Sequence, residues 1–300
     1  MSHLLLDFDK AGAEWVVTAY LANDPRMIEV CETGKSPHLM TGQLISGAPE
    51  EFVLREHKLV GSNTDPEVIS QLRAQLGLMP PGIFLPRVMS IRQAGKKSNH
   101  GLNYRMGYRR FGLENELEEA EAKRIRELYI TRAYPNLQLW WHAIEVELKM
   151  NNRTLENCFG RRRRFMDSWG PDLFEKATAF KPQSTVGDIV NQGMNDAFED
   201  TSIEHSFAEL LANVHDSLAY QYPTNRWIEC AAFVCDMAFN KLNPTLCYSQ
   251  REFTIGTDLK IGKHWGEGMI SVKLENNPEV MEQRLQEAWE KVNHGTSGTA

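Results

Sequence analysis

The sequence predicts an α+β fold, in which helices pack on an antiparallel sheet and a largely helical region accompanies that sheet. Two observations predict the sheet: His3–Asp9 is a short apolar run typical of a buried strand, and Leu210–Tyr222 has the pattern of a hairpin. A third predicts the helices, because long stretches elsewhere place apolar residues at helical spacing. With 300 residues, 42% of them hydrophobic, the chain can build a sizeable core.

The remaining elements are predicted in chain order from local signals. Strand and helix should follow one another from Asp9 to Asn23, and Pro25 should start another helical turn. Further helices are expected over Pro66–Leu76, Arg92–Arg110, Leu117–Tyr129, Asn136–Met150, Thr185–Phe198, Trp227–Leu242 and Pro278–Val292. Phe253–Leu259 should form a last strand.

Charge and composition narrow the class of protein. The net charge of −7 does not suit a protein that coats nucleic acid through bulk electrostatics, but the basic residues are segregated. They concentrate between Arg92 and Arg110 and again at Arg161–Arg164. No apolar run has membrane length, and the five cysteines show no zinc-type pairing. We therefore expect no membrane association and a cytoplasmic protein with reduced thiols.

The predicted helix that begins at Arg92 carries a distinctive face. Arg92, Lys96, His100 and Tyr104 recur every fourth residue and would lie together. Cationic side chains suit phosphates and a flat ring suits a base, so this face indicates nucleoside triphosphate binding. The same spacing also fits a solvated helix face that ends in an ordinary core tyrosine.

Two aspartates stand at the ends of predicted strands. Asp9 ends the first strand, and Asp216 lies near the turn of the hairpin. Hard oxygen ligands from two strands, brought side by side, are what a pair of Mg²⁺ ions requires for nucleotidyl transfer. Aspartate also ends strands simply as a turn former, and either explanation fits each residue alone.

Taken in order from Leu4 to Gly268, these segments resemble family A DNA polymerases, the family of bacterial polymerase I and many phage replicative enzymes. Five segments carry the resemblance: Asp9-Lys-Ala-Gly-Ala-Glu14 with the helix after it, Pro37-His38, the Arg92–Tyr104 face, Cys158-Phe-Gly-Arg161-Arg-Arg-Arg164, and Pro182-Gln183-Ser-Thr-Val-Gly-Asp188. Val214-His215-Asp216 resembles the last motif of the family. Alignment on the helix after the first motif selects Asp9 rather than Asp7 as the metal ligand.

The resemblance implies a right-hand polymerase palm with helical fingers, which adds dNTPs to a primer 3′-hydroxyl with two Mg²⁺ ions. Asp9 and Asp216 would be the catalytic metal ligands, and the backbone carbonyl of Phe8 or Lys10 would complete a shell. The residues expected to bind the nucleotide are Glu14, His38, Arg92, Lys96, His100 and Tyr104. Those expected to contact the primer-template are Arg161, Arg163, Gln183 and His215.

The sequence departs from the family pattern at three of these positions. Lys10 replaces the usual tyrosine, and Ser217 replaces the commoner glutamate, but neither change removes Asp9 or Asp216. Arg105 replaces the glycine that usually follows Tyr104, so the hinge after this helix should lose backbone freedom. We therefore expect catalytic competence with altered closing of the fingers.

The motifs imply an organisation along the chain. The expected order is palm and start of fingers over 1–45, an insertion or linker with one helix over 46–86, fingers over 87–150, palm over 151–270, and an amphipathic helix with a disordered tail over 271–300. The first motif lies near the amino terminus, so we expect the thumb and exonuclease of longer relatives to be absent. A second polypeptide that carries them would dock on an exposed strand edge at Leu4–Phe8 and on the last helix.

Two other functions remain open from the sequence. A single-subunit RNA polymerase would share the two aspartates and the Arg/Lys/Tyr face, although Glu14 favours deoxynucleotides. A polymerase remnant could instead bind primer-template without turnover. Incorporation of ribonucleotides distinguishes the first alternative, and binding that persists while magnesium has no effect on extension distinguishes the second.

Overall fold

The computed structural model describes residues 2–10, 12–77, 81–266 and 268–294. Its first elements are β1 (His3–Lys10), α1 (Ala13–Ala22), α2 (Pro25–Thr33), α3 (Pro37–Ser46), α4 (Glu50–Val60), α5 (Pro66–Ala74), α6 (Ile91–Gly101), α7 (Tyr108–Glu114), α8 (Glu119–Leu128) and α9 (Asn136–Met150). They are followed by β2 (Thr154–Glu156), β3 (Arg162–Arg164), α10 (Pro171–Glu199), α11 (Ile203–Ser206), β4 (Glu209–Val214), β5 (Ser217–Pro223), α12 (Trp227–Asp236), β6 (Leu246–Tyr248), β7 (Arg251–Phe253), β8 (Thr257–Gly262), β9 (Ile270–Val272) and α13 (Pro278–His294).

The chain divides into two compact units. The sheet unit comprises residues 1–13 and 183–300, and the helical unit comprises residues 14–182. The predicted α+β class is confirmed, since the strands pair antiparallel and most other elements are helical. Among the described residues, no helix is both long and apolar enough to cross a membrane. The predicted disordered tail falls on residues 295–300, which lie outside the described ranges.

The sheet unit is built on a five-stranded sheet in the order β4-β5-β1-β8-β9. Strand β1 is central, because it pairs with β5 on one side and with β8 on the other. Leu4, Leu6 and Phe8 are at most 1% exposed and pack with α12 and α13 in one apolar core. The predicted exposed strand edge at Leu4–Phe8 is therefore wrong, because both edges of this strand are already paired.

The last helix also has an internal partner. Along α13, the predicted apolar stripe is buried at Met281, Leu285, Ala288 and Val292 within the core of the sheet unit. Trp289 is partly buried and lies with its ring centroid 6.5 Å from that of Trp227. The apolar stripe of the last helix therefore packs within the sheet unit and is not free to dock the predicted second polypeptide.

Capping residues set the helix bounds in the helical unit. Asp24 accepts hydrogen bonds from the N–H groups of Arg26 and Met27 at the start of α2, and Gly34 ends that helix with a φ of 65°. In its described part, segment 46–86 contains the helices α4 and α5 rather than the single predicted helix. Its buried faces include Val53, Val60 and Ile69, so these residues form a packed part of the unit and not a linker.

The predicted helix Arg92–Arg110 is interrupted. Helix α6 ends at Gly101, a 3₁₀ turn covers Leu102–Tyr104, and Arg105 adopts a left-handed φ of 67° before α7 begins. The Asn103 carbonyl accepts a hydrogen bond from the Trp141 indole at 2.9 Å, which satisfies that oxygen outside the helical ladder. A tertiary contact therefore ends a helix that periodicity alone would continue.

The other boundary errors are smaller. Helix α10 extends from Pro171 to Glu199 and contains Pro182, so it starts earlier than the predicted Thr185. The predicted strand Phe253–Leu259 is divided between β7 and β8, which belong to different sheets. Strand β9 was not predicted, because its three residues are too short for alternation to be recognised.

Candidate active site

The sheet unit brings Asp216, in the turn between β4 and β5, next to Asp9 on β1. Asp9 pairs with Ser217 in the register between β1 and β5, and Asp216 directly precedes that serine. The Lys10 N–H donates to the Asp216 carbonyl at 3.1 Å. Burial and then the negative charge of Asp216 raise the pKa of Asp9 from 3.8 to about 6. The Asp216 carboxylate thus lies close enough to affect the ionisation of Asp9.

A two-residue turn presents Asp216. Val214 pairs with Ser217, so His215 and Asp216 alone connect β4 to β5. His215 has a left-handed φ of 56°, where two-residue hairpins commonly use glycine. Its side chain is exposed, whereas Asp216 is half-buried. The turn therefore holds one carboxylate in place and presents an imidazole at the surface beside it.

The side chains that flank Asp9 point away from it. Phe8 and Lys10 are buried on the core side of β1, because alternate residues of a strand face opposite sides. The Lys10 ammonium donates to the carbonyls of Leu242 and Ile255, each at 2.5 Å, and to Thr257 Oγ1 at 3.1 Å. Burial lowers the pKa of Lys10 to about 8. The side chains of Phe8 and Lys10 are therefore directed away from a metal ion that would bind at Asp9.

Three further charges surround Asp9, and the sequence did not single them out. Asp258 is its register partner on β8, and Lys260 pairs in the same way with Asp7. The Lys260 charge lowers the pKa of Asp9, while Asp7 and Asp258 raise it. The alternation of Thr257–Gly262 was the available signal, because it places Asp258 and Lys260 on one face.

The helical unit brings four predicted nucleotide ligands together. The His38 and His100 ring centroids lie 5.9 Å apart, and the charges of Arg92 and Lys96 act on His38. Burial, then His100, Arg92 and Lys96, lower the pKa of His38 to about 4. Burial and Lys96 also lower the pKa of His100. His38 is therefore a neutral imidazole at pH 7 in a cationic environment.

A buried network that sequence reasoning missed orients His38. Asn99 Nδ2 lies 3.3 Å from His38 Nδ1, and Asn99 Oδ1 accepts from the hydroxyls of Thr41 and Tyr129 at 2.9 and 3.2 Å. In this orientation of the amide, Asn99 Nδ2 donates to His38 Nδ1, and the proton of the neutral ring then resides on Nε2. The ring can then donate one hydrogen bond to an anion. An asparagine within a helix gave no sequence signal of this role.

Two glycines let the helices that carry these side chains approach closely. A Cβ at Gly95 of α6 would lie 2.2 Å from the His38 carbonyl and 2.7 Å from the Gly42 nitrogen. A Cβ at Gly42 of α3 would lie 2.7 Å from the Ile91 carbonyl. Neither position can hold a side chain without separating the helices. His38 on α3 can lie near Arg92 and Lys96 on α6 only because the two helices cross this closely.

Tyr104 does not continue the α-helical face of Arg92, Lys96 and His100. It lies in the 3₁₀ turn, and its hydroxyl donates to Glu14 Oε2 at 2.5 Å. Burial and the Glu14 carboxylate raise the pKa of Tyr104 well above 10. The tyrosine thereby fixes the direction of the glutamate on α1.

The predicted DNA contacts lie in three places: the β2–β3 hairpin, α10 and the β4–β5 turn already described. Arg161–Arg164 are all exposed, and Arg162–Arg164 form β3, which pairs with β2. Asn157 accepts from the N–H groups of Phe159 and Arg161, and Arg163 lies over the Phe165 ring at 4.8 Å. Gln183 is exposed on α10.

A second group of potential metal ligands in the sheet unit has another explanation. Asp200, His205 and Asp236 place ligand atoms within 4.8 Å of one another. However, the Lys241 ammonium donates to Asp200 at 2.8 Å and lies 3.7 Å from Asp236. The Lys241 ammonium therefore already balances part of the negative charge of this group.

Comparison with known proteins finds relatives among DNA polymerases. The chain is 25% identical to "DNA polymerase I, thermostable" of Thermus aquaticus over 268 residues, which cover 85% of the chain and 27% of that protein. It is 26% identical to the protein of the same name in Thermus filiformis over 251 residues, or 79% of the chain and 25% of that protein. The chain thus spans about a quarter of the length of these curated relatives.

A solved structure and a family model extend the comparison. The POL domain of Pol1 from M. smegmatis, in complex with DNA primer-template and dNTP, superposes with a TM-score of 0.62 at 18% identity. The match covers 87% of this chain and 40% of that chain, and it shows the likeness of fold. The model of DNA polymerase family A matches residues 87–267. Because that match covers more than half of the sequence, the chain belongs to DNA polymerase family A.

Proposed function

We propose that the chain is a palm-and-fingers part of a template-directed DNA polymerase, which transfers dNTPs to a primer 3′-hydroxyl. The single observation that carries this proposal is the coupling of Asp9 and Asp216 across neighbouring strands of the sheet unit. The names of the Thermus relatives support it, as does the ligand set named for the M. smegmatis protein. The sheet unit corresponds to the palm, and the helical unit contains the fingers.

The cofactor in this proposal is Mg²⁺, bound as two ions by Asp9, Asp216 and the carbonyl of Phe8 or Lys10. Carboxylates whose proximity raises the pKa of Asp9 fit a divalent cation, because the cation relieves the repulsion between them. When bound, the metal would activate the primer hydroxyl and neutralise charge on the departing pyrophosphate. The protein's own contribution is the strand register, which holds both carboxylates before substrate arrives.

The nucleotide is bound by the cationic cluster of the helical unit. Arg92 and Lys96 supply positive charge to the triphosphate, and neutral His38 donates a hydrogen bond from Nε2. His100 lies beside them, and Tyr104 stacks near the nascent base pair. Glu14, held by the Tyr104 hydroxyl, crowds the 2′ position of the sugar and so favours deoxynucleotides.

The primer-template is contacted by Arg161, Arg163, Gln183 and His215. The arginines are exposed in a hairpin, where guanidinium groups can neutralise phosphates and make binding salt dependent. His215 lies in the turn that holds Asp216, a position suited to orienting the primer end. These contacts read the backbone and the minor groove more than the sequence.

The finer organisation also remains a proposal. We infer that segment 46–86 is a family-specific insertion within the fingers and that the protein acts in the cytoplasm of a bacterium or phage-infected cell. A second polypeptide with thumb and exonuclease remains a prediction. Its predicted contact at Leu4–Phe8 is withdrawn, because those apolar side chains are buried in the sheet unit.

Extension of a labelled primer-template by the purified chain tests the proposal. We expect incorporation of dNTPs that requires Mg²⁺ and is lost in both Asp9→Ala and Asp216→Ala, with ribonucleotides poorly used. Equal use of ribonucleotides would favour an RNA polymerase. Tight binding of primer-template without any metal-dependent extension would favour the binding-only remnant, and extension by both variants at the wild-type rate would overturn the assignment.

A further inference from the structure

A buried ion pair in the helical unit belongs to segment 46–86 and has no place in the site described above. Arg73 of α5 donates to Glu56 of α4 through Nε at 2.9 Å and through Nη2 at 2.5 Å. Glu56 is 0% exposed and Arg73 is 7% exposed. A full ion pair at this depth requires an explanation, because desolvation can cost more than the attraction returns.

The remaining hydrogen bonds of this pair end on the chain that leads into α6. Glu56 Oε2 accepts from the N–H of Ile91, the first residue of the helix, at 3.0 Å. Arg73 Nη1 donates to the Pro86 carbonyl at 2.5 Å, and Nη2 donates to the Met89 carbonyl at 2.9 Å. The ion pair therefore binds three backbone groups of the segment Pro86–Ile91, which directly precedes Arg92.

The residues beside the pair act on the same turn. Ser90 caps α6 by accepting from the Gln93 N–H at 3.2 Å, and His57, next to Glu56, lies with Nδ1 2.9 Å from Ser90 Oγ. A carboxylate at the first N–H of a helix also interacts favourably with the helix dipole. Two successive residues of α4 thus fix the first turn of α6.

We propose that Glu56 and Arg73 are positioning residues, which set the start of α6 and thereby the placement of Arg92 and Lys96 toward the triphosphate. This inference rests on the proposed nucleotide-binding role of α6. An apolar pair of similar volume could fill the same space, but it could not hold three backbone groups. The buried ion pair therefore has a function, which is to fix the position of α6. Through this pair, segment 46–86 contributes to nucleotide binding.

The double variant Glu56→Leu/Arg73→Met is the main test, because either single change would leave a buried charge without its partner. The matched control is Glu29→Leu/Lys35→Met, which removes an ion pair that is about half exposed on both sides. Three quantities are measured for both proteins: the KM and kcat for dNTP in primer extension, the thermal midpoint, and amide hydrogen exchange over residues 84–97.

We expect the double variant to fold with a lowered thermal midpoint, because three backbone groups lose their partners, and to raise the KM for dNTP by about tenfold, with kcat changed much less. Amide exchange should accelerate at Ile91 and the next turn. Arg73→Lys should also show a raised KM, because a point charge cannot reach the acceptors that the guanidinium fork joins. The control should change neither KM nor exchange.

An unchanged KM and unchanged exchange in the folded double variant would overturn the inference. So would a wild-type KM in Arg73→Lys, since charge alone would then suffice. If the wild-type chain itself does not extend a primer, the proposed activity fails separately. Titration with a fluorescent dNTP analogue then replaces KM, and equal affinities of the wild type and the double variant would reject the positioning role.

Discussion

The sheet unit and the helical unit position their functional side chains by different means. In the sheet unit, strand register alone brings Asp9 beside Asp216 and Asp258, and the core behind these residues is almost entirely apolar. In the helical unit, His38 reaches the cationic face of α6 through a glycine crossing and a buried hydrogen-bond network. Most of the buried polar side chains are in this second unit: Thr18, Asp24, Thr41, Ser46, Glu56, Arg73, Ser90, Ser98, Asn99, Asn103, Asn157 and Thr178.

The difference concerns tolerance to change. The register between two strands is set by many residue pairs along their length, so one substitution on the open face of the sheet leaves the carboxylates in place. The close crossing of α3 and α6 depends on two glycines, and the His38 imidazole is held by one asparagine. No other residue pairs would restore either arrangement after a substitution. We therefore expect single substitutions to disturb the nucleotide-binding cluster more readily than the carboxylate pair.

The largest effect should come from Gly95→Ala. Its Cβ would lie 2.2 Å from the His38 carbonyl, so α3 and α6 must separate. We expect the free energy of unfolding to fall by about 3 kcal/mol in chemical denaturation. Gly187→Ala is the control, because a Cβ there meets nothing within 4 Å and α10 should gain about 0.5 kcal/mol. If both changes had the same effect on the free energy of unfolding, the close approach of α3 and α6 would not contribute to stability.

A somewhat smaller effect is expected from Lys10→Met in the sheet unit. The change leaves the carbonyls of Leu242 and Ile255 without their ammonium donor. We expect a loss of about 2 kcal/mol in the free energy of unfolding, measured by urea titration. The exposed Lys35→Met should change it by less than about 0.5 kcal/mol. A neutral Lys10→Met would mean that these carbonyls are satisfied in another way.

The ionisation of Asp9 tests the register in the metal-free protein. Its pKa of about 6 lies above the ordinary 3.8, so the protonated form is favoured in the fold. The resulting stability is present at acidic pH and is lost as the pH rises through about 6. Carboxyl NMR should find this pKa lowered in Asp216→Asn, although burial keeps it above 3.8. If the titration curve of Asp9 were the same in Asp216→Asn, the two carboxylates would be too far apart to interact.

The smallest effect concerns Arg105 at the end of the 3₁₀ turn. Its left-handed φ of 67° disfavours a side chain, but its guanidinium pairs with Glu145 and lies 4.7 Å from the Phe174 ring centroid. Arg105→Gly should be more stable than Arg105→Ala by about 1 kcal/mol, because both lose the contacts and only glycine relieves the strain. Thermal unfolding of the two variants measures this difference, and equal midpoints would show that the backbone there is unstrained.

The sequence predicted more of the sheet unit than of the helical unit. Apolar alternation identified β1 and the hairpin, and their antiparallel pairing then determined which carboxylates meet. The spacing of Arg92, Lys96 and His100 likewise predicted one helical face correctly. Periodicity failed at Tyr104, because the Trp141 indole binds the Asn103 carbonyl and ends the helix.

Buried polar residues were the main omission. Asn99, Glu56 and Arg73 belong to residue types that are usually exposed, so nothing in their local sequence distinguished them. The same lack of signal made segment 46–86 seem a linker, although its ion pair is among the most buried groups of the chain. Such residues become recognisable only when their partners, distant in sequence, are known.

The most direct test of the account compares Asp216→Asn with Asp258→Asn in single-turnover incorporation of one dNTP. Both changes remove one carboxylate near Asp9, but only Asp216 belongs to the proposed metal site. If Asp9 and Asp216 bind the catalytic metal, we expect the rate to fall about a thousandfold in Asp216→Asn and to stay within about threefold of the wild type in Asp258→Asn. Equal losses in both, or a wild-type rate in Asp216→Asn, would contradict it.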